Sequence, residues 1–504
     1  MTTSALPPAA YGDLARRFER LGRLGGVAAI LDWDSQTMMP PGGAEARAEE
    51  TAALALVRHE LLTDPRIAGL LDRAEGGEAG MLAPWQRANL AAMRRQHTHA
   101  NAVEPRLVGA LERARARGAH AWRRAREDDD FARFAPLQVE VLDLTREMAR
   151  AKAEALGCTP YDALLDAFEP GGKAAEIDAV FAALEDFLPE FLGRVLDRQR
   201  REPPPLPLEG PFPVAAQAAL GRRLMAIIGF DFAHGRLDIS AHPFCGGTPD
   251  DVRITTRYAE DDFTKALMGV LHETGHALYE RGLPAAWRGQ PVGEARGMSL
   301  HESQSLLLEM QACRGRDFLV FAAPLMREAF GRDGPAWHPD NLYRLHTRVA
   351  PGLIRVDADE VTYPAHVLLR YRLERALIAG DLAVADLPGA WRDGLDALLG
   401  IAPGDDRDGC LQDIHWAEGL FGYFPTYTLG AMTAAQLFAA ATDADADIGA
   451  GIGRGDFAPL LAWLRANVHG HGAALSPREI LIRATGGPLD PERYKTHLRT
   501  RYFP

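Results

Sequence analysis

Apolar residues recur at intervals of three and four residues along most of the chain, which is the spacing of one face of an α-helix. Leu14, Phe18 and Leu21 begin this pattern near the N-terminus, and Phe181 and Leu184 belong to a later run. Alanine, leucine, arginine and glutamate, all strong helix formers, dominate these segments. The pattern therefore predicts a mostly α protein.

Alternation of apolar and polar residues, which is typical of strands, is scarce. It occurs at residues 237–240, 251–258 and 352–361. We expect these segments to form a small β-sheet, and they carry many of the polar residues that are discussed below.

Three segments rich in proline, glycine and aspartate interrupt the helical pattern, at residues 202–213, 402–409 and 442–455. Such compositions predict turns and solvated loops. None of the three is long enough to require a separate domain. Residues 1–504 are therefore expected to form one unit.

Composition and charge restrict the classes of protein to which the chain can belong. Hydrophobic residues make up 47% and charged residues 25% of the sequence, as in soluble globular proteins. The formal net charge of −13 argues against a nucleic-acid or anionic-membrane binder, because both need concentrated lysine and arginine. No apolar run approaches the roughly 18 residues of a membrane span, and no secretory leader pattern opens the chain.

The four cysteines, Cys158, Cys245, Cys313 and Cys410, are scattered without CxxC spacing. This distribution fits neither a disulfide scaffold nor a thiolate zinc site. A reducing compartment is favoured, and we expect a cytoplasmic protein.

One helical segment, GVLHETGHALYE at residues 269–280, carries polar residues typical of a metal site. Residues four apart lie on the same side of a helix, so His272 and His276 can offer ring nitrogens to one ion. Glu273 lies beside them and can take a proton from water that a zinc ion has made more acidic. The alternative is an ordinary helix with three polar residues, but burying them unpaired would be costly.

A catalytic zinc site needs a third protein ligand and an open position. Three glutamates follow the motif: Glu280, Glu294 and Glu302. Glu280 lies one turn past His276, too nearly in line to complete the coordination, and Glu294 lies in a glycine-containing loop. Glu302 opens the apolar segment SLHESQSLLLEM, which predicts a second helix, so Glu302 is favoured over Glu294. Its structural alternative is a capping box with Ser299.

Several separate motifs, in one order along the chain, resemble those of the carboxypeptidase Taq (M32) family of metallocarboxypeptidases. They are LDWDSQTMMPPGG at 31–43, HPF at 242–244, DVRIT at 251–255, HETGH at 272–276, HESQ at 301–304, IRVDAD at 354–359, GCLQDIHW at 409–416 and GYFPTYTLG at 422–430. Together with a motif near the C-terminus they cover nearly the whole chain. The ordered set is far more specific than the HExxH motif alone.

The resemblance implies a large, mostly helical gluzincin-type metallopeptidase, with a long substrate groove, a small β-sheet near the active site and a homodimeric assembly. Residues 1–504 would then be one peptidase unit, with two lobes flanking the groove as one arrangement of it. The resemblance also implies His272, His276 and Glu302 as ligands of one Zn²⁺ ion, which Co²⁺ could replace, and Glu273 as the base. The implied activity is the release of single amino acids from the C-termini of peptides, with broad specificity.

An enzyme that acts at the C-terminus must bind a free carboxylate, and a guanidinium does so through two parallel hydrogen bonds. Arg355 is the first candidate for this role and Arg253 is the second. Each has a structural alternative. Arg355 could pair with Asp357 or Asp359, and Arg253 could pair with Asp251 and brace a strand.

The tetrahedral intermediate of peptide hydrolysis needs donors aimed at its oxyanion. Tyr427 is the first candidate and Tyr423 the second. His415 and His242 are candidates for further donors or substrate contacts. For the histidines the alternative is burial against a backbone carbonyl. Metal sites also need groups that orient the ligand imidazoles, and Asp359 and Glu360 are candidates for that function.

Two rival functions are compatible with the metal motif. One is a zinc oligopeptidase, an endopeptidase that cleaves internal bonds. The other is a non-catalytic peptide-binding protein with a structural metal. Glu273 and an open coordination position argue against the second, because structural sites are usually closed by a fourth protein ligand.

Overall fold

The computed structural model describes residues 8–503, and helices dominate this part of the chain, as predicted. The α-helices are α1 (Ala9–Thr37), α2 (Ala44–Leu62), α3 (Pro65–Gly76), α4 (Pro84–Asn101), α5 (Pro105–Asp128), α6 (Phe131–Leu156), α7 (Pro160–Leu165), α8 (Ala174–Arg201), α9 (Val214–Ile228), α10 (Phe263–Gly282), α11 (Met298–Leu306), α12 (Arg316–Phe330), α13 (Pro339–His346), α14 (Tyr363–Ala379), α15 (Leu387–Leu399), α16 (Pro425–Ala444), α17 (Asp447–Ile452), α18 (Ala458–Asn467), α19 (Pro477–Thr485) and α20 (Pro491–Tyr502). Among residues 8–503, no helix has both the length and the apolar character needed to cross a membrane.

A three-stranded sheet lies between α9 and α10 in the sequence and consists of β1 (Gly235–Ile239), β2 (Cys245–Thr248) and β3 (Asp251–Thr256). The central strand β3 pairs in parallel with β1 and antiparallel with β2. The predicted strands at 237–240 and 251–258 overlap β1 and β3. The sequence CGGT of β2 escaped prediction because glycine is depleted in strands.

The strand prediction for residues 352–361 is wrong. This segment contains a short 3₁₀ turn, Arg355–Asp357, and no strand. The carboxylate of Asp359 accepts hydrogen bonds from the backbone N–H groups of Ala350, Val361 and Thr362. Such local side-chain bonds offer the backbone an alternative to a strand ladder.

The predicted loops at 202–213 and 402–409 contain neither helix nor strand. The loop prediction for 442–455 is wrong in part, because α16 continues to Ala444 and α17 covers Asp447–Ile452. Ile448 and Ile452 are buried in the same hydrophobic core as the metal-motif helix α10. Burial of these two side chains outweighs the poor helix propensity of the neighbouring glycines and aspartates.

Helix α10 carries the HETGH motif and packs against β3, α9 and α11. It begins at Phe263 because the Asp262 side chain accepts a hydrogen bond from the Thr264 N–H at 2.8 Å, which caps the first turn. Leu267, Met268 and Leu271 lie in the hydrophobic core beneath it. The helix is therefore held rigidly at the position of the motif.

Two glycines allow the backbones of α10, α11 and α16 to approach one another closely. A Cβ atom on Gly275 would lie 2.5 Å from the carbonyl oxygen of Gln304 and 2.7 Å from Cα of Ser305, both on α11. A Cβ atom on Gly430 of α16 would lie 2.9 Å from Cβ and from Cγ of Glu302. No larger residue fits at either position without displacing a neighbouring helix.

We expect the substitution Gly275→Ala to lower the midpoint of thermal unfolding, measured by circular dichroism. The added methyl group overlaps the backbone of α11, and overpacking of this kind costs about 1–3 kcal/mol. Gly193→Ala on α8 is the control, because no atom lies within 4 Å of its Cβ position and alanine is the better helix former. That control should keep or raise the midpoint, whereas a wild-type midpoint for Gly275→Ala would contradict the close helix contact.

Candidate metal centre

The side chains of His272 and His276 on α10 converge with that of Glu302 on α11. One ligand atom from each residue lies within 4.8 Å of the other two. Oε2 of Glu302 is 3.3 Å from Nε2 of His276 and 3.7 Å from Nε2 of His272. Ligand atoms about 2.1 Å from a tetrahedral zinc ion stand about 3.4 Å apart. The three side chains therefore fit a single divalent cation.

The charges around these atoms also favour a cation. Burial opposes a proton on His272, but the carboxylates of Glu302 and Glu309 outweigh it and raise the pKa of His272 to about 10. Burial opposes ionisation of Glu302, yet His272 and His276 lower the pKa of Glu302 to about 2. His276 behaves differently, because burial lowers its pKa to about 4. The centre thus combines an ionised carboxylate with a neutral imidazole and attracts positive charge to the point of convergence.

Glu273 follows His272 directly on α10 and is 6% exposed as a residue. Its Oε2 atom is buried and has no hydrogen-bond partner among residues 8–503. Burial raises the pKa of Glu273 to about 7, with His272 acting in the opposite direction and Glu302 in the same direction. A carboxyl group with this pKa can exchange a proton near neutral pH.

Helix α11 continues directly into a π-helix, Leu307–Cys313, and this segment carries a residue that the sequence reasoning missed. Oε2 of Glu309 is 2.9 Å from Nδ1 of His272, and its Oε1 accepts a hydrogen bond from Arg314 at 2.7 Å. Glu309 follows Glu302 by seven residues, which in an α-helix would be two turns along one face, and that spacing was the signal available in the sequence. Glu309 holds the ring of His272 in place.

Asp359 and Glu360, the predicted groups for orienting a ligand imidazole, do not contact His272 or His276. The Asp359 carboxylate accepts backbone N–H groups of its own loop, as described above. The carboxylate of Glu360 instead accepts hydrogen bonds from His497 at 2.7 Å and Arg501 at 3.0 Å. Both predictions are wrong because these carboxylates satisfy nearer donors.

The capping-box alternative for Glu302 is also wrong. Helix α11 begins at Met298, so Ser299 lies inside its first turn, where its backbone N–H donates to the carboxylate of Glu169. The Glu302 side chain points to the two histidines. Glu294, the competing third ligand, lies outside the cluster of ligand atoms, and its carboxylate is 3.3 Å from the side-chain amide of Gln96.

Arg355 is 5% exposed and is held by Asp413. Its Nε and Nη2 atoms donate to Oδ1 of Asp413 at 3.2 and 2.8 Å, and its Nη1 donates to the hydroxyl of Tyr363 at 2.8 Å. The predicted alternative of pairing with Asp357 or Asp359 is wrong, since Asp357 pairs with the exposed side chain of Lys265. These bonds use three of the five guanidinium N–H groups, and one N–H on each terminal nitrogen keeps no partner among residues 8–503.

Asp413 also binds a second buried arginine, Arg370, whose Nε lies 2.6 Å from Oδ2. Burial alone would raise the pKa of Asp413, but Arg370 and Arg355 outweigh it and hold that pKa well below its usual range. Asp413 lies within the GCLQDIHW motif, yet neither arginine is near it in sequence. Two guanidinium groups therefore share one carboxylate in the core.

Arg253 adopts the structural alternative that its sequence context offers. Its Nε and Nη2 atoms donate to the two carboxylate oxygens of Asp251 at 3.0 and 2.6 Å, and its guanidinium carbon lies 4.4 Å from the ring centroid of Trp33. The bidentate edge of Arg253 is thus occupied on strand β3.

The predicted oxyanion donors Tyr427 and Tyr423 lie next to Arg355 and near Glu302. The guanidinium carbon of Arg355 is 5.0 Å from the ring centroid of Tyr427, and the negative charge of Glu302 contributes to the raised pKa of both tyrosines after burial. The hydroxyl of Tyr427 is 3.2 Å from Nε2 of His415. Burial, opposed by Asp413, lowers the pKa of His415 to about 4. His415 is therefore neutral at pH 7.

His242 is separate from this group. It lies in the connection between β1 and β2 with an exposed side chain, and its carbonyl oxygen accepts a hydrogen bond from the hydroxyl of Ser240. No hydrogen bond within residues 8–503 joins its ring to the residues around Glu302.

The chain is similar to one protein family over nearly its whole length. The family model for carboxypeptidase Taq (M32) metallopeptidases matches residues 13–502. Thermostable carboxypeptidase 1 of Thermus thermophilus is 41% identical over 98% of this chain and 99% of its own. Carboxypeptidase 1 of Bacillus subtilis is 33% identical over 98% of this chain and 97% of its own.

Solved structures give the same result for the fold. Metallocarboxypeptidase 1 of Trypanosoma cruzi superposes with a TM-score of 0.96 at 43% identity, covering 98% of this chain and 99% of that protein. The M32 carboxypeptidase of Deinococcus radiodurans superposes with a TM-score of 0.93 at 36% identity, covering 98% of each chain. Similarity at this level extends over the helices and the sheet together.

The substitution Asp413→Asn should destabilise the fold by about 3–5 kcal/mol, because it leaves two buried guanidinium groups without a counter-charge. The full difference in unfolding free energy should be present at neutral pH, because a carboxylate with a lowered pKa stabilises the fold at every pH above its ordinary value of about 4. The difference should shrink only in strong acid, where the wild-type carboxylate also becomes protonated. Denaturant unfolding at several pH values measures it.

Asp340→Asn is the control for this measurement. Asp340 pairs with Arg316, but its side chain is 51% exposed, so the pair should contribute about 0–1 kcal/mol. Equal losses in the two variants would contradict the assignment of Asp413 as the shared counter-ion.

Proposed function

Because the chain belongs to the carboxypeptidase Taq (M32) family of metallopeptidases and is a metallocarboxypeptidase, we propose that it releases single residues from the C-termini of peptides at a zinc ion held by His272, His276 and Glu302. Side-chain tolerance is broad. The family requires a divalent metal, and zinc is proposed here because two imidazoles and a carboxylate are ligands that zinc accepts at catalytic sites. Cobalt, with similar ligand preferences, is the expected substitute.

The observation that carries this proposal is the position of Glu273. Its buried oxygen without a partner lies close enough to His272 and Glu302 for their charges to act on the pKa of Glu273. A purely structural metal site would not need a carboxylate kept without a partner beside it, because such a group is costly to bury. A general base next to the metal ligands, in contrast, needs a free oxygen that can accept a proton from water.

The roles of the residues in hydrolysis follow from this arrangement. A divalent cation at the three ligands supplies Lewis acidity, which makes water more acidic and a peptide carbonyl more electrophilic. Glu273 takes a proton from the attacking water and later delivers it to the nitrogen of the leaving amino acid. Water is added across the C–N bond, so one peptide and one amino acid leave.

Arg355 selects the end of the peptide. Its two remaining N–H groups, one on each terminal nitrogen, can hold the C-terminal carboxylate through parallel hydrogen bonds. Asp413 and Tyr363 fix the guanidinium plane beforehand, so little side-chain entropy is lost when substrate binds. Arg253 is the weaker candidate, since Asp251 already occupies the matching edge.

Tyr427 donates to the developing oxyanion, and Tyr423 is the second candidate. The neutral ring of His415 lies 3.2 Å from the Tyr427 hydroxyl and fixes its orientation. The exposed His242 contacts the substrate and not the reacting atoms. One family model covers residues 13–502, and we propose that residues 1–504 act as one peptidase unit with two lobes beside a long groove.

The remaining assignments concern the surroundings of the enzyme. Its four cysteines are all free thiols, which fits a reducing compartment, and we place the enzyme in the cytoplasm. We further propose that it acts as a homodimer, on peptide substrates and without nucleic-acid or membrane partners.

The substitution Glu273→Gln should reduce kcat by at least about a hundredfold, because the amide cannot accept the proton of water. Elemental analysis of the same sample should still find close to one zinc ion per chain, since the ligands are unchanged. A variant with full activity would overturn the assignment of Glu273 as the base, whereas loss of the metal would point to a structural effect.

The substitution Arg355→Lys should raise KM for peptides by about ten- to a hundredfold, because an ammonium group cannot form the two parallel bonds. Arg253→Lys is the matched control and should change KM little. Steady-state kinetics on a short peptide with a free C-terminus measures both. The reverse result would assign carboxylate binding to Arg253.

Peptides with an amide at the C-terminus separate a carboxypeptidase from an endopeptidase. The amide lacks the charge that Arg355 binds, so wild-type enzyme should lose nearly all activity on it, as mass spectrometry of the products would show. Cleavage of internal bonds in the amide at an undiminished rate would favour the oligopeptidase.

A further inference from the structure

His301 lies directly before Glu302 on α11 and connects a ligand histidine to a second carboxylate. Its Nδ1 is 2.7 Å from Nδ1 of His276, and its Nε2 is 2.8 Å from Oε1 of Glu280. All three side chains are partly buried. His276, His301 and Glu280 therefore form a continuous hydrogen-bonded line, which begins on the side of His276 that faces away from Glu302.

Metal binding would determine the direction of every hydrogen bond in this line. Under the proposed function, His276 coordinates through Nε2, so its proton is on Nδ1. That N–H can donate only to an unprotonated Nδ1 of His301, which places the proton of His301 on Nε2. This second N–H then donates to Oε1 of Glu280. One arrangement of neutral rings satisfies both bonds.

The other ligand histidine is held by a shorter connection. Nδ1 of His272 is 2.9 Å from the carboxylate of Glu309, with no ring between them, and Arg314 binds the far oxygen. Both ligand imidazoles thus have a carboxylate behind them, but for His276 the carboxylate acts through His301. An imidazole between ligand and carboxylate keeps the negative charge of Glu280 farther from the metal.

The ring of His301 is also fixed by packing. Its centroid lies 4.6 Å from that of His276 and 5.3 Å from that of the buried Tyr279. A ring confined in this way cannot turn to offer the other nitrogen without leaving both hydrogen bonds. Its position, and not only its chemistry, suits it to hold a neighbour in one orientation.

We propose that His301 is a positioning residue for the metal, which fixes the tautomer and ring orientation of His276 by linking it to Glu280. The inference rests on the proposed function, since it requires His276 to be a ligand. His301 does not touch the reacting atoms. Its effect should therefore be seen in metal affinity, and outer groups of this kind typically change it by about 10- to 100-fold.

The test compares zinc dissociation constants, measured by competition with a chelator, for wild-type protein and two variants. His301→Phe keeps the ring volume but removes both nitrogens, and it should weaken zinc binding by about 10- to 100-fold. His301→Asn places an oxygen near the former Nδ1, so it can accept the N–H of His276 and should recover part of the affinity. Thermal unfolding of the metal-free proteins shows whether each variant is folded.

His469→Phe is the matched control. The His469 ring packs 5.1 Å from Tyr279, as His301 does at 5.3 Å, but its Nε2 bonds to Gln304 and not to a ligand. This variant should bind zinc as tightly as the wild type. An equal loss of affinity in His469→Phe and His301→Phe would reduce the effect to packing and overturn the proposal.

The failure of this inference can be distinguished from that of the proposed function. A wild-type protein that binds zinc tightly, together with a His301→Phe variant of the same affinity, would overturn the role of His301 alone. A wild-type protein whose zinc binding is unaffected by His276→Ala would overturn the ligand set itself, and with it the premise of the inference.

Discussion

The direct contact between the backbones of α10 and α11 is the constraint on which the proposed metal centre depends. One cation can be shared only if donor atoms from separate helices come within a few ångströms of one another. The limited reach of histidine and glutamate side chains therefore restricts how far apart the two helices can lie. Gly275 stands between the two ligand histidines and meets the α11 backbone where a methyl group would not fit. Gly430 gives α16 the same closeness to Glu302, which also brings Tyr427 to the centre. The proposed metal centre therefore depends on two glycine positions at which no side chain fits.

Features with a local cause could be predicted from the sequence. Two histidines four residues apart share a helix face wherever the helix forms, and the apolar surroundings of the motif were sufficient to predict α10. The identity of the third ligand was harder, because spacing alone left Glu294 and Glu302 in competition. In the structure, tertiary packing distinguishes the two, because it places α11 with Glu302, and not the preceding loop with Glu294, against the histidines. Resemblance to a family supplied that choice in advance, whereas physical reasoning on the residues only favoured it.

Partners that lie far apart in sequence could not be predicted. The sequence offered only neighbouring aspartates as structural partners of Arg355, but its partner Asp413 is brought in by a separate loop and is shared with Arg370. His301 and Glu309 were missed for a different reason: the contacts of His301 with His276 and of Glu309 with His272 depend on how α11 and the following π-helix pack against α10. The errors at residues 352–361 and 442–455 have other causes. Local hydrogen bonds to the Asp359 carboxylate outweighed the strand pattern in the first segment, and core burial of Ile448 and Ile452 outweighed composition in the second.

The shared carboxylate of Asp413 has a consequence for the end of the reaction cycle. Two guanidinium groups and one aspartate leave this region with one unbalanced positive charge while His415 is neutral. Under the proposed function, the carboxylate of an incoming peptide supplies the missing anion. Both products of hydrolysis carry a carboxylate: the released amino acid keeps the original one, and the shortened peptide gains a new one. Under the proposed function, both products would therefore compete with fresh substrate for Arg355. Product inhibition would then follow from the charge imbalance at Asp413.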